Sequence, residues 1–235
     1  MRTDFTPPER TRLRRRPQRG HFDEATVFAI LDAAVVCHIG YVRDGQPVVT
    51  PTAFWREGRR VYWHGSAASG ALDSQAGGTP VCFTVSLHDG FLVGRSGFAH
   101  SILYRSVMAF GTPTGITDLT GKRRAMTAFL ERLYPGRTRE LRPIKDDELR
   151  MITVMTLELD EVSAKVRPGP VLEKEEADYA VPCWAGTIPL ATTVGTPIPD
   201  ERLAPGTPPG LSLAVYTPGA RLEDALLTGV CGRRL

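Results

Sequence analysis

The sequence has few cysteines and lacks any long hydrophobic run. None of its four cysteines (Cys37, Cys82, Cys183 and Cys231) belongs to a CxxC pair, which argues against a disulfide framework or a zinc site. No apolar stretch approaches the ~20 residues that a membrane span needs, and the N-terminus lacks the apolar core of a secretion signal. We therefore expect a cytoplasmic protein with no membrane partner and no metal site.

Sequence motifs of several large enzyme classes are also missing. The chain contains no Walker phosphate loop, no HExxH and no GxGxxG after a strand pattern, so P-loop, zincin and Rossmann sites are excluded. It also lacks the GxSxG elbow of the α/β-hydrolases. If a nucleotide binds, a site of another type must hold it.

Charge is unevenly distributed along the 235 residues. Residues 1–20 contain seven arginines and two acidic residues, a net +5, whereas the remainder carries −2. This leader is basic and proline-containing with few apolar side chains, so we expect it to be disordered and solvated. A basic tail can touch nucleic acid, but we favour a solvated segment with no specific nucleic-acid partner.

Hydrophobic periodicity predicts a mainly β protein. A helical pattern over residues 22–34 is followed by strand patterns over 35–42, 46–55 and 59–64, and short turns such as Asp44-Gly45 join them. Beyond these, we predict a helix over 65–75, a strand over 80–87 ending at an Asp89-Gly90 turn, a strand-like region over 91–117, a helix over 120–133 and a last strand over 151–167. About six antiparallel strands with flanking helices favour a split β-barrel of Greek-key type.

Prolines indicate where the main domain ends. Ten of them fall after residue 167, and strand and helix patterns fade there. We expect a barrel domain over residues 21–190, followed by a proline-rich C-terminal arm over residues 191–235.

The most informative segment is residues 61–70. A strand pattern ends at His64, and Gly65, Ser66 and Ser69 lie in a small-residue turn before a predicted helix. Free amides at a helix start favour an anion, so one interpretation is a phosphate cradle. The alternative, which this pattern alone favours, is an ordinary capped helix.

Four stretches together resemble the pyridoxamine 5′-phosphate oxidase-like FMN-binding split barrels, in particular the branch with the 5-nitroimidazole resistance proteins. They are residues 37–40, 47–52, 64–69 and 100–111, in that order, and the resemblance covers roughly residues 20–190.

The resemblance implies a homodimer with FMN in clefts between the subunits. By position it assigns Thr50, Pro51 and Thr52 to the isoalloxazine ring. It assigns His64, Gly65, Ser66 and Ser69 to the ribityl chain and phosphate, with His64 as the candidate catalytic residue. Tyr104, Arg105 and Ser106 are implied to lie near the cofactor and the dimer interface.

Two positions depart from the family pattern. Gly70 stands where relatives usually carry a phosphate-binding Arg or Lys, and Leu103 stands where they often carry Asn. A charge-assisted contact is roughly twice as strong as a neutral one, so we expect weak FMN binding unless Arg59, Arg60 or Arg105 substitutes.

The leading hypothesis is therefore an FMN-dependent oxidoreductase acting on a small organic acceptor. Three alternatives stay open: a non-catalytic protein that stores or senses a flavin, a cofactor-free structural dimer, and a deazaflavin or haem in the same cleft.

Overall fold

Antiparallel strands make up most of the structure, a computed structural model that describes residues 4–5, 9–11 and 16–231. Within these residues there are ten strands: β1 (Gly20–His21), β2 (Val36–Arg43), β3 (Gln46–Glu57), β4 (Arg60–Ser66), β5 (Val81–Val93), β6 (Ser101–Gly111), β7 (Thr114–Ile116), β8 (Ile152–Glu158), β9 (Glu161–Arg167) and β10 (Gly186–Pro189). The helices are α1 (Glu24–Asp32), α2 (Gly70–Ala76), α3 (Leu119–Leu133), α4 (Asp146–Arg150) and α5 (Leu222–Cys231).

The strands follow the order β1-β9-β6-β5-β2-β3-β4-β8-β7, with β10 on β5, and every pair is antiparallel. Strands β8 and β9 are consecutive in the chain yet lie far apart in this order, so the chain between them joins the two halves. The predicted class, a mainly β split barrel with flanking helices, is confirmed, with more strands than the six expected.

The barrel interior is filled by inward-facing side chains of these strands. Phe83 is fully buried and meets Phe54 edge to face, with 5.2 Å between ring centroids. A second, smaller core lies under α3, where Trp55, Tyr62, Ala125 and Val154 pack together. Asp23 begins α1 by accepting a hydrogen bond from the Thr26 amide at 2.7 Å, as an N-cap residue does.

Three local predictions are wrong for identifiable reasons. The 65–75 helix begins later, at Gly70, because Gly65 and Ser66 still pair with β8. The 151–167 strand is two strands, β8 and β9, which belong to different halves of the barrel. The Asp89-Gly90 turn is a bulge inside β5, and a Cβ on Gly90 would lie 2.6 Å from the Ile188 carbonyl oxygen.

Parts of the basic leader contact the barrel. Phe5 is only 3% exposed within the main core, its amide donates to the Phe22 carbonyl at 2.8 Å, and Arg10 pairs with Glu161. Residues 1–3, 6–8 and 12–15, where we also predicted disorder, lie outside the described residues.

The chain after β9, including the C-terminal arm, folds back onto the barrel. Strand β10 adds to β5, and α5 packs beside α1 and α3. The buried Arg132 of α3 donates to the Leu226 carbonyl of α5 at 3.0 Å and also to the Asp32 carbonyl. No helix in the described part of the chain has the length and apolar character needed to cross a membrane.

Candidate functional site

The candidate site begins at the open strand edge left where β3 and β4 separate. Strand β3 pairs with β2 over residues 46–53 and with β4 only over residues 54–57, while β4 continues along β8 to Ser66. Over residues 46–53, the edge of β3 facing away from β2 therefore has no strand partner among the described residues. Unpaired backbone groups at such an edge can hydrogen-bond an added group.

The three predicted ring-binding residues lie along this open edge. Thr50 and Thr52 are half-buried, and Pro51 between them is exposed on the opposite face. The Thr52 hydroxyl donates to the His64 carbonyl at 3.3 Å. This bond ties β3 to β4 just where their ladder ends, so the structure brings Thr50, Pro51 and Thr52 close to His64.

His64 lies at the end of the second core. Its half-buried ring is 5.0 Å from Phe129 and 5.9 Å from Trp55, measured between centroids. Burial lowers the pKa of His64 below its usual range, because removal from water disfavours the charged imidazolium. The ring is therefore neutral at pH 7 and can accept a proton or bind a metal through a nitrogen lone pair.

Two polar atoms of this cluster are buried without a hydrogen-bond partner. They are Nδ1 of His64 and Nε1 of Trp55. An unsatisfied buried donor or acceptor costs about 1–3 kcal/mol, and such atoms are rare enough to need an explanation. Both rings contact Phe129 in the core under α3, so an ordered water or another group reaching into this core would satisfy them.

The turn after His64 differs from the predicted phosphate cradle. The Ala67 amide donates to the Met151 carbonyl at 2.9 Å, the Ala68 amide to Ser66 Oγ at 3.2 Å and the Ser69 amide to the Ser66 carbonyl at 3.0 Å. These three amides are already satisfied, so the expected row of free amides is absent at these positions. Gly65 instead allows α2 to pack closely, since a Cβ at this position would lie 2.9 Å from Leu72 of α2.

A cation nevertheless lies beside Gly70. A Cβ built on Gly70 would be 3.8 Å from Nη1 of Arg43, at the end of β2. No carboxylate in the described part of the chain pairs with Arg43. Sequence reasoning missed this residue because nothing local links it to a position 27 residues away.

The three arginines considered as replacements for the cation that Gly70 lacks are engaged elsewhere. Arg59 pairs with Glu24 at 2.9 Å, and Arg60 pairs with Glu158. Arg105 contacts Asp89 at 2.8 Å and Glu223 at 2.7 Å, and hydrogen bonds to these carboxylates raise its pKa. The guanidinium of Arg105 thus anchors α5 to the barrel.

Tyr104, Arg105 and Ser106 do not share a face. Successive side chains of a strand lie on opposite faces of the sheet. Arg105 therefore lies on the same face as the buried Val107, while Tyr104 and Ser106 lie on the outer face. There they border a cavity of about 380 Å³ together with His88. In one protomer, β2 and β5 separate these residues from β3, a distance of roughly 14 Å at ~4.8 Å per strand.

An apolar cavity of about 580 Å³ lies between the barrel, α3 and the C-terminal arm. Ala53 and Phe129 form one side of it, and Val194 and Tyr216 of the arm form the other. Because Phe129 also touches the His64 ring, the cavity adjoins the candidate site. Phe129 falls within the predicted helix over residues 120–133, but the arm's contribution carried no periodic signal.

Comparisons with known proteins agree with this architecture. A family model described as pyridoxamine 5′-phosphate oxidase matches residues 23–166. The flavocytochrome Anf3 from Azotobacter vinelandii is 40% identical, with 92% of this chain and 100% of that chain covered and a TM-score of 0.85. The FAD and heme binding protein from Mycobacterium smegmatis is 34% identical, with 87% and 98% covered and a TM-score of 0.83.

A more distant structure shares the fold alone. A putative 5-nitroimidazole antibiotic resistance protein from Bacteroides thetaiotaomicron is 24% identical over 61% of this chain and 84% of that chain, with a TM-score of 0.52. No curated protein matches the sequence. The family model and the two more similar structures show that the chain belongs to the pyridoxamine 5′-phosphate oxidase family.

Proposed function

We propose that this protein is a flavin-dependent redox protein whose isoalloxazine ring lies along the open edge of β3 beside His64. The observation that carries the proposal is the unpaired backbone of residues 46–53 next to a neutral, half-buried histidine. Two relatives above 30% identity are named as a flavocytochrome and an FAD-binding protein, which supports a flavin over other planar ligands.

The flavin, when bound, supplies the hydride or electron transfer. The backbone beside Thr50 and Thr52 would orient the ring through hydrogen bonds. The neutral His64 would accept or return a proton at the substrate, and the rings of Trp55 and Phe129 would keep water away from it. Arg43 and the hydroxyls of Ser66 and Ser69 would bind the phosphate.

Between the two common flavins, we propose FAD. The relative that is 34% identical over 87% of this chain is named for FAD, whereas FMN was our expectation from the more distant resemblance. Titration of the flavin-free protein with FAD and with FMN, followed by flavin fluorescence, compares them. Tighter binding of FMN would reverse this choice without affecting the proposal of a flavin.

We propose that the cleft is completed by a second copy of the chain. In one protomer, β5 and β2 separate Tyr104 and Ser106 from the Thr50 edge, so one isoalloxazine ring would contact both groups of residues only across a subunit interface. The outer sheet face also carries exposed apolar side chains, among them Val49 (64% exposed) and Met108 (41%). Apolar patches of this kind favour self-association.

Catalysis itself is tested by turnover with a reduced nicotinamide and an artificial acceptor. General acid–base catalysis contributes about 10²–10⁴-fold, so His64→Gln should lower the turnover number at least tenfold while flavin stays bound. His100→Gln is the matched control, because His100 is exposed and only hydrogen-bonds the Ser96 carbonyl. Absence of turnover in the wild-type protein would favour the non-catalytic flavin protein instead.

A haem is a second candidate cofactor, favoured by the apolar cavity next to His64 and by the names of the same two relatives. Haem needs an apolar slot and a ligand to its iron. The cavity lining is mainly aliphatic and aromatic, and His64, which lies behind Phe129 and not on the lining itself, is the residue that would have to supply the nitrogen. Loss of a Soret band in His64→Ala with flavin absorbance retained would support this role. A Soret band unchanged by that substitution would exclude His64 as the ligand.

A further inference from the structure

A group of basic side chains gathers at the end of β9. Arg167 is the last residue of this strand, and Lys165 lies two residues before it on the same face. The 3₁₀ turn Pro17–Arg19 runs beside them, because Gly20 pairs with Lys165. We call Arg16, Arg19, Lys165 and Arg167 the basic cluster. Burial and the nearby charges of Arg19 and Arg16 lower the pKa of Arg167.

No carboxylate balances these charges. In the described ranges, no Asp or Glu pairs with any member of the basic cluster, and the half-buried Arg167 donates only to the hydroxyl of Ser101. Other arginines of the barrel do have acidic partners: Arg10 with Glu161, Arg56 with Asp32, Arg59 with Glu24, and Arg60 with Glu158. Partly buried like charges repel one another, so an external anion is the natural counterion.

A surface suited to a ring adjoins the cluster. Arg167 pairs with Tyr104 across the ladder, and Tyr104 pairs with His88. Directly paired residues present their side chains on the same face. The cavity of about 380 Å³ beside them is lined by Ser86, Leu87, His88, Ile102, Tyr104 and Ser106. Cations therefore stand next to aromatic and hydroxyl groups.

We propose that the basic cluster binds the phosphates of an adenine nucleotide whose base lies against Tyr104 and His88. Guanidinium groups match phosphate oxygens with paired hydrogen bonds, and aromatic faces accept a base by stacking. Two sources share this chemistry. One is the adenylate half of an FAD that spans the proposed dimer, since Arg43 and Arg167 lie at opposite ends of the sheet in one protomer; the other is a nicotinamide dinucleotide that reduces the flavin. The choice between these two sources rests on the proposed function, whereas the phosphate site itself does not.

The probe is AMP, the adenylate half common to both sources, titrated by calorimetry into the full-length protein loaded either with FMN or with FAD. AMP should bind the FMN-loaded form, and Arg167→Gln or Arg19→Gln should each weaken binding about tenfold, as expected for one lost charge-assisted hydrogen bond. Arg167→Lys should weaken it less. Arg142→Gln is the control, because Arg142 is exposed and paired with Glu148, and it should leave AMP affinity unchanged.

The two loaded forms separate the sources. Binding to the FMN form but not the FAD form identifies the adenylate half of FAD, whereas binding to both identifies the electron donor. The proposal is overturned if AMP binds neither form, or if it binds equally well to wild type and both glutamine variants. If the protein takes up no flavin yet binds AMP through Arg167, the proposed function fails and the phosphate site stands.

Discussion

At the residue scale, His64 combines a buried position with a titratable ring. Its pKa is lowered in the folded state by burial, so below the ordinary histidine value the unfolded chain binds the proton more readily. Folding stability contributed by the neutral ring is thus present above about pH 6.5 and is lost as the pH falls through the folded-state pKa.

Urea unfolding between pH 5 and 7.5 checks this effect. We expect stability to fall toward acid with a slope of up to about 1.4 kcal/mol per pH unit from this one group, and the slope should be smaller in His64→Gln. His100→Gln should keep the wild-type slope, because His100 is exposed. Identical pH profiles for wild type and His64→Gln would contradict the buried neutral ring.

Arg43 is the residue on which the phosphate assignment depends most. Removing its charge in Arg43→Gln should weaken flavin binding about tenfold, the loss expected for one charge-assisted contact. Gly70 has a negative φ, and a Cβ at this position would meet only Arg43 within 4 Å, so adding Gly70→Lys to Arg43→Gln should restore part of the affinity. Fluorescence titration with free flavin measures both effects.

Two outcomes would refute the role of Arg43. One is an unchanged flavin affinity in Arg43→Gln, and the other is an equal loss in the control variant Arg142→Gln, whose guanidinium pairs with Glu148 on the surface.

At the scale of elements, α5 is held to the barrel by the ion pairs of Arg105. Glu223 of α5 accepts two hydrogen bonds from Arg105, at 2.7 and 3.0 Å. Hydrogen bonds to charged groups contribute about 1.5–3 kcal/mol, so Glu223→Gln should lower the free energy of unfolding by about 1–2 kcal/mol. It should also increase hydrogen exchange and proteolysis over residues 190–228.

Glu148→Gln provides the comparison. Its partner Arg142 is 60% exposed, and solvent screens such surface pairs, so Glu148→Gln should destabilise the protein less than Glu223→Gln. Equal effects of the two substitutions would show that the Arg105 contacts do not anchor the arm.

Elements were predictable where local chemistry decides them. The Asp44-Gly45 hairpin and the N-cap of α1 follow from short patterns, and Asp44 and Gly45 adopt the positive φ that such a turn requires. Local patterns could not separate β8 from β9, because the Leu159-Asp160 junction contains neither Gly nor Pro. They also could not distinguish a hairpin turn from the β-bulge at Gly90. The strand that packs against this bulge, β10, begins 96 residues later in the chain.

The candidate site was only partly predictable for the same reason. His64 and the Thr50–Thr52 edge followed from the order of motifs. The proximity of Arg43 to Gly70, the engagement of Arg105 by Glu223 and the cavity wall formed by the arm are long-range contacts. Such contacts leave no pattern in a single sequence.

At the scale of the whole molecule, the proposed dimer joins the two halves of the site. Met108 lies on the outer sheet face and is 41% exposed, so Met108→Glu should place a charge in the interface, shift the protein to monomers and release flavin. Ile198→Glu, at a site 93% exposed on the C-terminal arm, should change neither. Light scattering after size exclusion gives the oligomeric state, and a wild-type monomer that retains flavin would contradict the shared cleft.

The central claim is that the cleft beside His64 holds a flavin. The most direct test is the absorption spectrum of the protein purified under native conditions, together with the mass of the ligand released on unfolding. We predict flavin absorption bands and the mass of FAD. A colourless protein that releases no flavin and takes up neither FAD nor FMN would contradict the account.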